Sequence, residues 1–229
     1  MKISFYKDYQ TMSQKAAQIV LDEVSSKPDL LFCAATGNSP TGMYAEMAKS
    51  KGTFSELRVV KMDEWGIIPL SHPDSCESYL KKHLLGPLDI VEDRYVGFDT
   101  ASEKVEEECK RMQKFIKESG PFDICILGLG KNGHIAFNEP ADELQMGFHK
   151  ALLAESTIQH DPVLSLGNEP AYGLCVGMRD ILQSRKIIFL VTGKGKEEAV
   201  KKIMKGRIST QCPATFLWLH PNTECLIVE

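Results

Sequence analysis

The 229 residues carry 43% hydrophobic and 25% charged side chains, ample for one core of ordinary globular type. The formal charge is −4 with no basic block, which argues against a nucleic-acid or membrane-surface partner. Met1 leads straight into KISFY with no apolar run fit for a signal peptide or a membrane span. Seven scattered cysteines, odd in number and without a C-x-x-C pair, read as reduced core thiols. Together these features predict a cytoplasmic protein.

Residues 3–6 (ISFY) are strand-like, and residues 9–25 carry Met12, Ala16, Ile19, Val20 and Val24 at helical spacing. LLFCAA (30–35) is a continuous apolar run of the kind a strand buried on both faces requires. LRVVKM (57–62) predicts another strand, SCESYLKKHLL (75–85) a helix, and RYVGF a short strand. The 102–119 stretch predicts a surface helix with Val105, Cys109, Met112 and Ile116 on its inner face. DICILG (123–128), GLCVG (173–177), KIIFLVT (186–192) and ECLIV (224–228) predict strands, and 194–206 a helix ended by Gly206. Strand–helix alternation with no linker or repeat implies one α/β domain over 1–229, with a mostly parallel sheet and helices on both faces.

Three of these runs pass into glycine-bearing turns: TGNSPTG after the 30–35 run, LGKNGH after 123–128, and TGKGK after 186–191. A fourth, LRVVKM, passes into DEW. In a parallel sheet all four turns emerge at the carboxyl edge, where ligands bind. TGNSPT offers the hydroxyls of Thr36, Ser39 and Thr41, a free backbone at Gly37 and a helix start near Pro40, the makings of an anion cradle. No G-K-[ST] follows, so it is not a Walker loop. TGKGK adds Lys194 and Lys196 at another helix start. Two such turns on one edge fit a single phosphate.

GLGKNG has the spacing of a dinucleotide fingerprint but lacks its context. HIAFNEP is poor helix material, and no strand-end acid lies about 20 residues on. An acid–base reading fits better. His134 follows the glycine turn, Glu139 lies five residues later, and Asp63 supplies a separate carboxylate at a neighbouring strand end. Such a set suits proton movement between adjacent atoms of a sugar.

TGNSPT, KMDEW, GLGKNGHIAFNEP and TGKGK resemble, in this chain order, the signature segments of the glucosamine-6-phosphate deaminase (isomerase) family. CESYL, GLGKNGH and FLWLH are most similar to its galactosamine-6-phosphate branch. The resemblance implies a three-layer Rossmann-like fold with no metal or organic cofactor. It implies conversion of a 2-amino-2-deoxyhexose 6-phosphate and water to a ketohexose 6-phosphate and ammonia. The galacto substrate gives tagatose 6-phosphate and the gluco substrate fructose 6-phosphate. It implies that Asp63 moves the C2 proton to C1 and that His134 opens the pyranose, oriented by Glu139. The TGNSPT turn (Thr36, Gly37, Asn38, Ser39, Thr41) and Lys196 hold the phosphate. Gly130 and Gly133 line the pocket with the backbone of 128–133.

One position departs from the signature: Asn132 stands where the family has Asp. An amide keeps the hydrogen-bonding shape but cannot ionise, so it lends an imidazolium less support. The family's phosphate-binding arginine has no clear match, with His160 and Arg179 as candidates. His149 and QHD (159–161) lack metal-ligand spacing. Two other readings stay open: a 6-phosphogluconolactonase, against which IAFNEP speaks, and a sugar-phosphate sensor without turnover. The family ranges from monomers to hexamers, which leaves a homo-oligomer open.

Overall fold

The structure, a computed structural model, describes residues 1–66, 68–100, 104–158 and 171–228. From the N-terminus, β1 (Lys2–Tyr6) leads into α1 (Tyr9–Ser26), whose start is capped by Asp8 accepting from Thr11 N at 2.7 Å. Then follow β2 (Leu31–Ala34), α2 (Asn38–Ala48), β3 (Arg58–Lys61) and the three-residue β4 (Asp63–Trp65). α3 (Cys76–Leu80), capped by Ser75, runs on into a π-helical turn over Lys81–Leu85. β5 (Tyr95–Val96), α4 (Val105–Ser119), β6 (Ile124–Gly128) and β7 (His149–Leu152) come next. The chain continues through α5 (Glu155–Ile158), β8 (Tyr172–Cys175), α6 (Met178–Leu182), β9 (Lys186–Val191), α7 (Glu197–Met204) and β10 (Thr223–Val228). Gly206, at φ +64°, ends α7 with its N–H donating to Ile203 O.

Seven strands form one parallel sheet in the order β1-β10-β9-β6-β2-β3-β5. Successive strand side chains point to opposite faces, so the unbroken burial of Leu31–Ala34 and Ile187–Val191 means that both faces are covered. α1 and α2 pack on each other and reach β1, β6, β9 and β10. Met112 and Ile116 of α4 join the same apolar cluster as the sheet. All seven cysteines are free and buried. No helix among the described residues is long and apolar enough to cross a membrane.

One segment departs from the sequence reading, and one expected strand lies in a second sheet. DEW, read as a turn, is β4, and GLCVG belongs to β8. They pair antiparallel, Asp63 with Cys175, in a separate three-stranded sheet of order β4-β8-β7. Met62 links the two sheets: its N–H donates to Ala34 O in the parallel sheet and its carbonyl accepts from Val176 N. A backbone that changes sheets within two residues carries no periodicity to read. β7 went unread for a similar reason, because HKAL mixes charged and apolar side chains and is only partly buried.

Chain order diverges between β2 and β6. From β2 the sheet grows through β3 to β5, and from β6 it grows through β9 and β10 to β1. The loops after β2 and β6 therefore part and leave a crevice at the carboxyl edge.

Candidate active site

That crevice is a cavity of about 200 Å³. Thr36, Gly37, Asn38 and Ser39 line it from the turn after β2, and Asp63 from β4. Gly130 and His134 come from the turn after β6, and Lys196 from the turn after β9. Ala35, Met62, Leu129, Ala136 and Phe137 supply apolar wall.

Asp63 is buried, 5% exposed, at the first position of β4. Burial and then the neighbouring Glu64 carboxylate push its pKa up to about 7, against the opposing pull of Lys61 and a hydrogen bond from Cys76. The Cys76 thiol lies 3.9 Å from Asp63 Oδ1. Behind Asp63 sits an ionic cluster, which the exposed Lys81 extends to the surface through Glu77 at 3.2 Å. Lys61, with no exposed surface, donates to Glu64 Oε2 at 2.7 Å and to Glu77 Oε2 at 2.8 Å. Glu64 also accepts the backbone N–H groups of Trp65, Cys76 and Glu77, and Tyr95 OH donates to Glu77 at 2.6 Å. Burial opposes the Lys61 charge, but the two carboxylates outweigh it and hold its pKa above the ordinary lysine value. The cluster joins β3, β4 and β5 to the start of α3 and so fixes the strand that carries Asp63.

His134 is placed by its neighbours on both sides. Its ring packs over Gly130, where a Cβ would stand 2.3 Å from Nε2. Only glycine leaves that space. Nδ1 lies 3.1 Å from Glu139 Oε2. With Nδ1 donating to this carboxylate, Nε2 is the ring nitrogen left for the cavity. Glu139 accepts from Thr157 Oγ1 at 2.6 Å and from Asn132 Nδ2 at 2.7 Å. Burial works to raise its pKa, but His134, Thr157 and Asn132 more than offset this and hold it below the usual carboxylate value. Asn132 Oδ1 in turn accepts the His134 backbone N–H at 3.0 Å. The amide thus donates to Glu139 and accepts from the His134 main chain, a pairing that an ionised Asp could not make. The support that Asn132 does not give as a charge comes from Glu139.

The start of α2 forms the opposite rim. Gly37, at φ +92°, occupies its N-cap, and no side chain among the described residues caps it. Its N–H groups and dipole favour an anion at this end. Ser39 Oγ lies 2.8 Å from Thr192 Oγ1, which ties this turn to the one after β9. Burial, and then the Lys131 ammonium, lower the pKa of Lys196 to about 8.

Several readings need correction. Thr41 does not line the cavity: one turn into α2, its hydroxyl donates back to Gly37 O at 2.9 Å and meets Tyr79 OH at 2.7 Å. Gly133 is not a lining residue either. It packs at φ +97° on Cys212, where a Cβ would stand 2.6 Å from Sγ, and its carbonyl accepts from Ala214 N. Lys194 is exposed and outside the lining. Arg179 pairs with Asp180 at 3.3 Å and lines a different cavity, beside Gln113 and Lys117. His160 and the QHD segment lie outside the described residues. His220 of FLWLH is buried between Ser184 O and Thr223 Oγ1, a structural histidine.

Sequence reasoning passed over Cys76, Phe137, Thr157 and Lys131. The first three come close only through the second sheet and the return of α5. Lys131 occupies a variable position of the glycine motif, where spacing carries no signal. It lines an adjoining cavity of about 240 Å³ with Asn132, His134, Thr157, Trp65 and Lys196.

The fold and the site define a class: α/β proteins with a buried carboxylate and an imidazole lining one cavity with a helix N-terminus at the switch point of a parallel sheet. The chain belongs to the family described as glucosamine-6-phosphate isomerases/6-phosphogluconolactonase, which it matches over residues 8–227. It is 39% identical to "Putative deaminase AgaI" of Escherichia coli K12, with 96% of this chain and 89% of that protein covered. It is 36% identical to the glucosamine-6-phosphate deaminase of Halothermothrix orenii, with 99% and 97% covered. Among solved structures, a monomeric glucosamine-6-phosphate deaminase superposes with a TM-score of 0.93 at 32% identity, with 100% of this chain and 98% of that one covered. A 6-phosphogluconolactonase from Thermotoga maritima has the same fold at 20% identity, with a TM-score of 0.79 and 100% and 99% covered.

Proposed function

We propose that this hexosamine-6-phosphate deaminase/isomerase acts on galactosamine 6-phosphate, giving tagatose 6-phosphate and ammonia. One observation carries the chemistry: Asp63 and His134 face a single cavity whose rim holds the α2 start and Lys196. The branch-like segments CESYL, GLGKNGH and FLWLH support the galacto substrate.

His134 Nε2 opens the ring by moving a proton between the C1 hydroxyl and the ring oxygen. Glu139 balances the imidazolium that forms during the transfer. Asp63 removes the C2 proton of the open aldehyde and returns it to C1. The C2 amino group gives up one N–H proton as C2 becomes an imine, and the C1 oxygen gains a proton in its place, so C1 is reduced and C2 oxidised with no net redox change. Water adds to the C2 imine and ammonia leaves, giving the ketose. A carboxylate with a pKa near 7 is a stronger base than an ordinary one, yet is still half ionised at neutral pH. The apolar wall limits competing water.

The test is ammonia release from galactosamine 6-phosphate and glucosamine 6-phosphate side by side, with the ketose identified. Faster turnover of the gluco sugar would reverse the substrate assignment. Lactone opening without ammonia would move the protein to the lactonase reading. Binding of both sugars without turnover would make it a sensor.

A further inference from the structure

We propose that Lys131 is a second cationic ligand for the substrate phosphate, acting with Lys196 across the turns after β6 and β9. This rests on the sugar-phosphate reading above. The two lysines come from different loops and line one cavity that adjoins the site, sharing Leu129, Gly130 and His134 with it. Lys131 is exposed, while Lys196 is partly buried.

The Lys131 side chain passes close over Gly195. At φ +82° this residue lacks the Cβ that would stand 3.3 Å from Lys131 Cε and 3.8 Å from Nζ. The ammonium therefore lies over the turn that immediately precedes Lys196 and α7. Two ammonium groups brought together from separate loops repel each other, and burial of Lys196 deepens the cost. A dianion between them reverses the sign of that interaction. The exposed Glu197 carboxylate also feels Lys131. It sits at the first position of α7. His134, the other titratable group on the shared wall, turns its Nδ1 to Glu139. The α2 start supplies N–H donors to the adjoining site cavity, which Lys196 also lines, so Lys196 stands between the two groups of phosphate donors.

The experiment compares Lys131→Met, Lys131→Arg and Lys196→Ala in ammonia release, with inorganic phosphate as competitive inhibitor. For Lys131→Met, KM for the 6-phosphate sugar and the inhibition constant of phosphate should both rise about tenfold, equivalent to about 1.4 kcal/mol, with kcat within about twofold. The alkaline limb of kcat/KM should move up, because Lys196 loses its like-charged neighbour. Lys131→Arg, which keeps the charge, should stay close to the parent protein. An unchanged phosphate inhibition constant in Lys131→Met, beside a weakened one in Lys196→Ala, overturns the role of Lys131 alone. Unchanged constants in both variants overturn the phosphate site itself.

Discussion

Replacing Asp63 by Asn tests the environment of this carboxylate without relying on catalysis. Its pKa is about 7 in the folded chain against an ordinary 3.8. Between these values the folded state binds the proton that the unfolded state has released, so stability falls as pH rises from about 4 to about 7. About two of the three units of difference lie between about pH 5 and about pH 8, which at 1.36 kcal/mol per unit is about 2.5 kcal/mol. Asn has no such proton. Its own packing and hydrogen-bonding costs are independent of pH and drop out when two pH values are compared. The stability of Asp63→Asn relative to the parent should therefore improve by about 2.5 kcal/mol from about pH 5 to about pH 8. In melting temperature that is about 5–10 °C for a domain of this size. Urea unfolding at both pH values, without ligand, measures it, and ammonia release from the same preparation should be abolished. Parallel stability curves for the two proteins would refute the buried, perturbed carboxylate. Residual turnover near the parent rate would remove Asp63 as the base.

Gly130→Ala places a methyl against the His134 ring, and kcat should fall about 100-fold or more with the fold intact, read by turnover and thermal unfolding. Lys61→Met leaves Glu64 buried without its cation and Glu77 with Lys81 alone, and should cost about 3 kcal/mol in urea unfolding, with a loss below about 1 kcal/mol counting against the cluster. In the parent protein kcat/KM should rise with pH through about 7 as Asp63 ionises and fall through about 8 as Lys196 loses its proton. A profile flat from about pH 6 to about pH 9 would contradict both assignments.

The ionic cluster behind Asp63 bears on how the site is kept rigid. In the role proposed for Asp63, a base that reaches one carbon and then its neighbour has little tolerance for displacement. β4 is only three residues long and has no sheet of its own beyond β8 and β7. Lys61, Glu64, Glu77 and Tyr95 replace the missing strand contacts with charge-assisted hydrogen bonds from three other elements.

What could be read from the sequence is what depends on local pattern. LLFCAA, DICILG and KIIFLV announce central strands because both faces of each are buried, and that requirement leaves an unbroken apolar run. The glycine turns that follow them are legible for the same reason, as breaks after such runs. What stayed hidden depends on distance along the chain. DEW becomes a strand only because a segment more than a hundred residues later pairs with it. Thr41 points back to Gly37 and Gly133 to Cys212 through a helical turn and a distant loop, so neither reaches the cavity that its motif suggests. Lys131 and Lys196 lie 65 positions apart, and no spacing rule joins them. They meet because β6 and β9 are neighbours in the sheet. Burial and periodicity are written residue by residue, whereas convergence at the carboxyl edge exists only once the strands are in order.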